Sequence, residues 1–146
     1  GWVFAGMARI IPLLPAGSPD RVRMEALFRT MAAKLRTLQK PDGYWSPSLL
    51  APEGSPPESS GTGFFTYGMA WGVRTGLLPR REYEAVARRG WAALGRAIQP
   101  DGRLGWVQQV SDRPEKVAAA DTQYYGVGAF LLAATEIAAL DRAPAR

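Results

Sequence analysis

The chain has no cysteine and no histidine among its 146 residues. The first absence excludes a disulfide framework and a thiol nucleophile. Together they exclude zinc sites of the Cys/His kind and every Ser-His-Asp or Cys-His catalytic set. Runs of five or more like charges are also missing. The longest charge-free apolar stretch near the C-terminus, 122–135, lies between Asp121 and Glu136 and falls short of the ~20 residues of a membrane span. It reads as a buried helix, and no membrane partner is expected. The chain opens Gly1-Trp2-Val3-Phe4 without an initiator Met or a basic segment, so no signal peptide is identified and the start reads as a cut end.

What is present is a folding sequence, 47% hydrophobic, 21% charged and 10% aromatic, of a length that suits one domain or a piece of a larger one. The net charge of +5 comes from 18 basic and 13 acidic residues, and 15 of the basic ones are arginine. These arginines alternate with acids, as in Arg21, Arg23, Glu25 and Arg29, or Arg80, Arg81, Glu82, Glu84, Arg88 and Arg89. That distribution suits solvated helix faces, and no nucleic-acid partner is expected.

Periodicity predicts two outer, amphipathic helices. The first starts at Ser18, an N-cap residue followed by Pro19, and carries Met24, Leu27, Phe28, Met31, Leu35 and Leu38 on one face. The second follows Pro79, with Tyr83, Val86, Trp91, Leu94 and Ile98 opposite its arginines. Segments 2–14, 62–73 and 123–140 are apolar nearly all round, which predicts inner helices packed on every side. The fold class is therefore all-α, in the order inner, outer, inner, outer, inner. A repeat runs through it. Gln39 and Gln99 lie 60 residues apart, each closely followed by Pro-Asp-Gly, at Pro41-Asp42-Gly43 and Pro100-Asp101-Gly102. At the same offset of 60, Thr62, Phe64, Phe65 and Gly68 match Thr122, Tyr124, Tyr125 and Gly128. The unit is a helical hairpin, present about two and a half times, too few copies to close a ring.

The connections from outer to inner helix are long. The first, 40–61, carries five prolines, Tyr44, Trp45 and Glu58-Ser59-Ser60, and the second, 102–121, carries Trp106, Gln108, Gln109 and Asp112. Both lead into N-termini of inner helices, where free amides and the helix dipole favour an anion such as a carboxylate. Aromatic rings beside Gln, Ser and Glu also suit a sugar, which offers flat apolar faces and hydroxyls. Each residue has a second reading. Ser60 or Thr62 serves as an N-cap, and Asp42 and Asp101 as turn residues. Trp45 and Trp106 pack against the hairpin turn or line a cleft. Glu58 meets the helix dipole or contacts a ligand. No acid pair, cofactor or metal site is assigned.

Four segments, Gly1-Trp2-Val3-Phe4-Ala5-Gly6-Met7-Ala8-Arg9, Glu58-Ser59-Ser60-Gly61-Thr62-Gly63-Phe64-Phe65-Thr66-Tyr67, Asp101-Gly102-Arg103-Leu104-Gly105-Trp106-Val107-Gln108 and Tyr125-Gly126-Val127-Gly128-Ala129-Phe130-Leu131-Leu132-Ala133, occur in an order that resembles the unsaturated glucuronyl and rhamnogalacturonyl hydrolases of glycoside hydrolase families 88 and 105. The resemblance implies an α/α toroid of six hairpins, acting on oligosaccharides that carry a 4,5-unsaturated uronic acid, as in pectin and rhamnogalacturonan degradation. It implies an Asp general acid and base that hydrates the double bond, after which the product rearranges and the linkage opens. The family's catalytic Asp, its histidine and a nearby tryptophan lie upstream of the matched stretch, so the chain reads as a C-terminal portion, inactive alone. Trp2 matches the final Trp of the family's Trp-x-Arg-Gly-Asn-Gly-Trp motif and is implied to contact the sugar. Glu58, Ser60 and Trp106 are family-like positions at the cavity mouth. The implied partners are an unsaturated uronyl oligosaccharide and the N-terminal portion of the same toroid.

Two rival expectations stand beside this one. The first is a non-catalytic half-toroid that binds carbohydrate or self-associates through exposed inner helices. The other is a different α/α toroid enzyme, because Gln39-x-x-Asp42-Gly43-x-Trp45 resembles the Gln-Trp motif of triterpene cyclases. The cytoplasm is a guess at its compartment.

Overall fold

Helices form where the apolar spacing predicts them. The computed structural model describes residues 1–50, 54–111, 113, 114 and 116–142; Asp112, counted above among the loop residues, lies outside them. Among the described residues there are α1 (Trp2–Ile10), α2 (Pro19–Thr37), α3 (Ser59–Arg74), α4 (Arg80–Arg96) and α5 (Tyr124–Arg142), and no β-strand. The all-α class and the alternation of inner and outer helices are as expected: α1 is a lone inner helix, followed by the hairpins α2/α3 and α4/α5. Helix α1 is shorter than the apolar run. It ends at Ile10 and tightens into a 3-10 turn, Ile11–Leu13, around Pro12, which has no amide to continue the α pattern. Ser18 caps α2 as predicted, its Oγ accepting from the Arg21 amide at 3.3 Å.

Helix α3 is the centre, flanked by α1, α4 and α5. Of its 16 residues, 13 are buried. Small residues set how closely the neighbours approach. A Cβ at Gly63 would lie 2.8 Å from the Ala129 Cβ of α5, one at Gly68 would lie 2.4 Å from the Phe4 ring of α1, and one at Gly90 of α4 would lie 2.2 Å from Thr66 Oγ1. Aromatic rings fill the remaining volume: Phe4 stacks on Phe28 at 4.3 Å, Phe28 meets Trp71 edge-on at 5.2 Å, and Trp45 meets Phe65 edge-on at 5.3 Å. Aromatic pairs in these geometries add to what area burial alone supplies.

The expectation that all three inner helices are packed on every side holds only for α3. Helices α1 and α5 each have α3 on one flank and solvent on the other, so Trp2, Val3, Tyr124 and Leu131 stand exposed. The outer surface is laced with ion pairs. Arg36 joins α2 to Glu82 of α4 at 3.1 Å, and Arg88 joins α4 to Asp141 of α5 at 2.8 Å. Arg74 grips Glu136 with two bonds of 2.7 and 3.0 Å. Exposed pairs of this kind contribute about 0–1 kcal/mol each, so they orient the helices more than they hold them. No helix of the described residues is long and apolar enough to cross a membrane.

The two Pro-Asp-Gly turns are built alike. Gly43 and Gly102 have φ of +89° and +84°, and Asp42 and Asp101 accept from the Tyr44 and Arg103 amides at 3.1 and 3.0 Å. Both aspartates are turn residues. The turns also correct the repeat register. Lys40 N bonds Tyr44 O at 2.9 Å and Gln99 N bonds Arg103 O at 2.8 Å, so Gln99 is the counterpart of Lys40 and not of Gln39. Gln39 is a brace instead. Its amide donates to Gly43 O at 3.1 Å and to Val86 O at 3.0 Å, tying the first turn to the second hairpin. Trp45 is a packing residue, 1% exposed, with its indole N–H donating to Leu35 O at 2.8 Å. The Gln-Trp resemblance thus has a local structural cause.

The close approach of α3 and α5 yields a test. Gly63→Ala should destabilise the fold by about 1–3 kcal/mol, because the new methyl meets the Ala129 backbone as well as its side chain. Gly95→Ala, where nothing lies within 4 Å on an exposed helix, should be neutral or stabilise by up to about 1 kcal/mol. Urea denaturation of both variants checks the pair.

Candidate functional site

The two long connections converge on the N-terminus of α3. Glu58 is the N-cap, with extended backbone, so the cap is neither of the hydroxyl residues Ser60 and Thr62 that the sequence suggested. A glutamate side chain here reaches back over the first turn. Its Oε1 accepts from Ser60 N at 2.9 Å and Ser60 Oγ at 2.7 Å, and its Oε2 accepts from Gly61 N at 2.6 Å. The Thr62 hydroxyl donates to Glu58 O at 2.6 Å and accepts from Trp45 N at 3.0 Å, so the first connection is sewn to the helix it precedes. Thr122, its match in the sequence repeat, lies before α5 begins.

The second connection is held to the same turn. Trp106 has φ of +57°, a left-handed backbone unusual for a bulky residue. In this conformation the Trp106 carbonyl accepts from Ser59 N at 2.8 Å, while the amide of Gln108 donates to Glu58 Oε1 at 3.2 Å. The Ser59 hydroxyl donates to Gly105 O at 2.7 Å. The amides of Ser59, Ser60 and Gly61 are thereby all paired, as a buried helix end requires.

A cavity of about 440 Å³ opens beside this junction. Trp2, Phe64, Tyr124 and Tyr125 give it aromatic faces, and Ser60, Gln108 and Gln109 give it polar groups. The Trp2 ring is 67% exposed, tilted on Phe64 at 4.7 Å and 6.3 Å from Tyr125. Tyr124 is 83% exposed and meets Tyr125 edge-on at 5.6 Å. The Tyr125 hydroxyl donates to Gln108 O, and the Gln123 amide donates to Gln109 Oε1. Burial, helped by the charge of Glu58, pushes the Tyr125 phenol above its usual range.

Three of the four residues predicted from the sequence, Trp2, Glu58 and Ser60, line this cavity. Trp106 is not among the described lining residues; its side chain is half-buried against the small cluster of Tyr44, Ala93, Ala97, Leu104 and Val107. In the sequence Tyr124 and Tyr125 are repeat partners of Phe64 and Phe65, and Tyr125 opens the fourth family-like segment, but neither was named as a site residue. Their aromatic character at the start of an apolar helix was the signal that could have placed them. No described lining residue is a lysine or arginine, and the one described carboxylate, Glu58, is committed to amides and a hydroxyl. The anion expected at the α3 N-terminus is therefore the protein's own. Among the described residues, no three His, Cys, Asp or Glu side chains cluster as metal ligands do. This wall is suited to stacking a sugar ring and hydrogen-bonding its hydroxyls, and it has no uncommitted described carboxylate with which to move a proton.

Helical hairpins whose inner helices turn their N-terminal ends toward one cavity are the architecture of a segment of an α/α toroid. The chain belongs to Glycosyl Hydrolase Family 88, which it matches over residues 1–140. It is 47% identical over 138 residues to an unsaturated 3S-rhamnoglycuronyl hydrolase of Alteromonas sp., covering 94% of this chain and 33% of that protein. It is 42% identical over 142 residues to a protein of the same description from Formosa agariphila, covering 97% and 38%. A solved glycosyl hydrolase family 88 structure from Bacteroides vulgatus superposes with a TM-score of 0.88 at 39% identity, covering 95% of this chain and 41% of that one. The chain thus spans about two fifths or less of the length of these relatives.

The raised Tyr125 phenol fixes a pH dependence. A phenol held above its usual value contributes stability that is whole below the ordinary tyrosine range, ~10, and is lost as pH rises through its own higher value. Tyr44 and Tyr67 are also raised by burial, so phenolate absorbance should show several late-titrating tyrosines, of which Tyr125→Phe removes one. Loss of absorbance within the ordinary tyrosine range, with the late phase intact, would contradict this placement.

Proposed function

We propose that the chain is the C-terminal portion of an unsaturated uronyl hydrolase, and that it forms one wall of the sugar cavity while the rest of the toroid supplies the acid. The observation that carries this is the cavity itself, aromatic on Trp2 and Tyr124, polar on Ser60, Gln108 and Gln109, in a chain matched nearly end to end by family 88. The substrate is an oligosaccharide ending in a 4,5-unsaturated uronic acid, in keeping with the activity by which the Alteromonas and Formosa relatives are described.

In this reading Trp2 offers the ring face turned away from Phe64 to a pyranose, excluding water on that side. Ser60 and the two glutamines meet the hydroxyls. Trp106 acts behind the wall, through its carbonyl on Ser59. The proton that hydrates the double bond comes from an Asp outside this chain. The exposed apolar residues outside the cavity, Val3 and Ile10 of α1 and Val127 and Leu131 of α5, are the surfaces on which adjoining hairpins of the toroid would pack. Without those hairpins, the same surfaces would drive self-association, which makes the half-toroid a property of the isolated chain rather than a rival function.

Incubation with an unsaturated uronyl disaccharide, followed by loss of double-bond absorbance, tests the reading. The complete protein should turn over and this chain alone should not. Trp2→Ala in the complete protein should raise KM about tenfold, the equivalent of ~1.4 kcal/mol. Turnover by the chain alone, or none by the complete protein, would refute it.

A further inference from the structure

The most heavily bonded side chain at the cavity is not aromatic. Glu58 is 5% exposed, and its carboxylate accepts four hydrogen bonds from two separate segments. Three of them close the first turn of α3. The fourth, from Gln108 N at 3.2 Å, reaches the connection of the next hairpin, 50 residues away in sequence. Ser59 holds the same connection at Gly105 and Trp106, and the Glu58 bond extends that hold to Gln108, at the edge of the cavity. Gln108 is further held by the Tyr125 hydroxyl on its carbonyl, and Gln109 by Gln123.

We infer that Glu58 is a positioning residue of the sugar site, joining Ser60 of one hairpin to Gln108 of the next so that the two polar edges of the cavity keep a fixed separation. This rests on the hydrolase reading above but assigns Glu58 a different part from substrate contact or proton transfer. Four donors already surround its two oxygens, which satisfies the carboxylate without a ligand. The left-handed backbone at Trp106 supports the inference. A bulky residue seldom adopts that conformation, and here it lets the 106 carbonyl and the 108 amide both turn toward α3.

Two substitutions separate the cap from the link. Aspartate is a good N-cap and can serve the amides of Ser60 and Gly61, but it is one methylene too short to reach Gln108 as well. Glutamine keeps the length, but its NH₂ faces amide donors where a carboxylate oxygen accepted. Both are made in the complete protein. Three quantities are read: melting temperature, hydrogen exchange of segment 104–109, and kinetics on an unsaturated uronyl disaccharide. Glu58→Asp should keep the melting temperature near that of the parent, speed exchange at Gln108 at least tenfold, and raise KM several-fold with kcat and its pH profile unchanged. Glu58→Gln should show the same KM rise with a lowered melting temperature as well.

A Glu58→Asp enzyme with unaltered KM would overturn the inference, leaving the carboxylate a helix cap alone. A collapse of kcat or a displaced pH profile would also overturn it, by making Glu58 a group that exchanges protons with substrate. Absence of turnover in the parent protein would refute the hydrolase reading instead, and Gln108 exchange would still decide whether the link exists.

Discussion

Helix α3 can be enclosed because nothing polar at its N-terminus is left without a partner. A helix end buried with orphan amides forfeits about 1–3 kcal/mol for each of them. Here the amides of Ser59, Ser60 and Gly61 are met by the Trp106 carbonyl and the Glu58 carboxylate. Once that end is closed, α3 can present Gly63 to α5, Gly68 to α1 and Thr66 to Gly90 of α4, at distances that leave no room for a Cβ on any of the three glycines. The hairpins then have one way to sit against each other, and the cavity beside Trp2 follows from it.

The same closure decides what the site can do. A free helix N-terminus would have drawn a carboxylate or sulfate into the cavity. With Glu58 in that place, the described lining offers an anion no lysine or arginine partner. What it offers is ring faces and hydroxyl partners. In a toroid, such a division of labour is natural. Successive hairpins bring successive connections to one mouth, so a charge-handling residue and a ring-stacking residue can come from different hairpins without either being compromised.

Much of the fold was legible in the sequence because helical hairpins write themselves in apolar spacing and turn chemistry. Ser18-Pro19 announced α2, and Asp-Gly announced both turns. The resemblance in four ordered motifs pointed to the family that the comparisons then gave. The errors came where partners are distant in sequence. Glu58 competes with Ser60 and Thr62 for the cap, and only the arrival of Gln108 from the next hairpin makes a long carboxylate the better choice. Trp45 and Trp106 read alike as loop aromatics, yet one indole is buried under α2 and the other packs behind the wall. The exposure of α1 and α5 was hidden for a different reason. An apolar helix reads the same whether its second neighbour is present or not.

The central claim is that this segment is a sugar-binding wall and not the source of the reacting proton. The most direct measurement is a crystal structure of the complete protein with an unsaturated uronyl disaccharide bound to an inactive variant. The account predicts a pyranose ring against Trp2, hydroxyls within hydrogen-bond reach of Ser60 and Gln108, and Glu58 still closed over Ser60 and Gly61. A disaccharide seated away from Trp2, or one whose double bond lies against the Glu58 carboxylate, would contradict it.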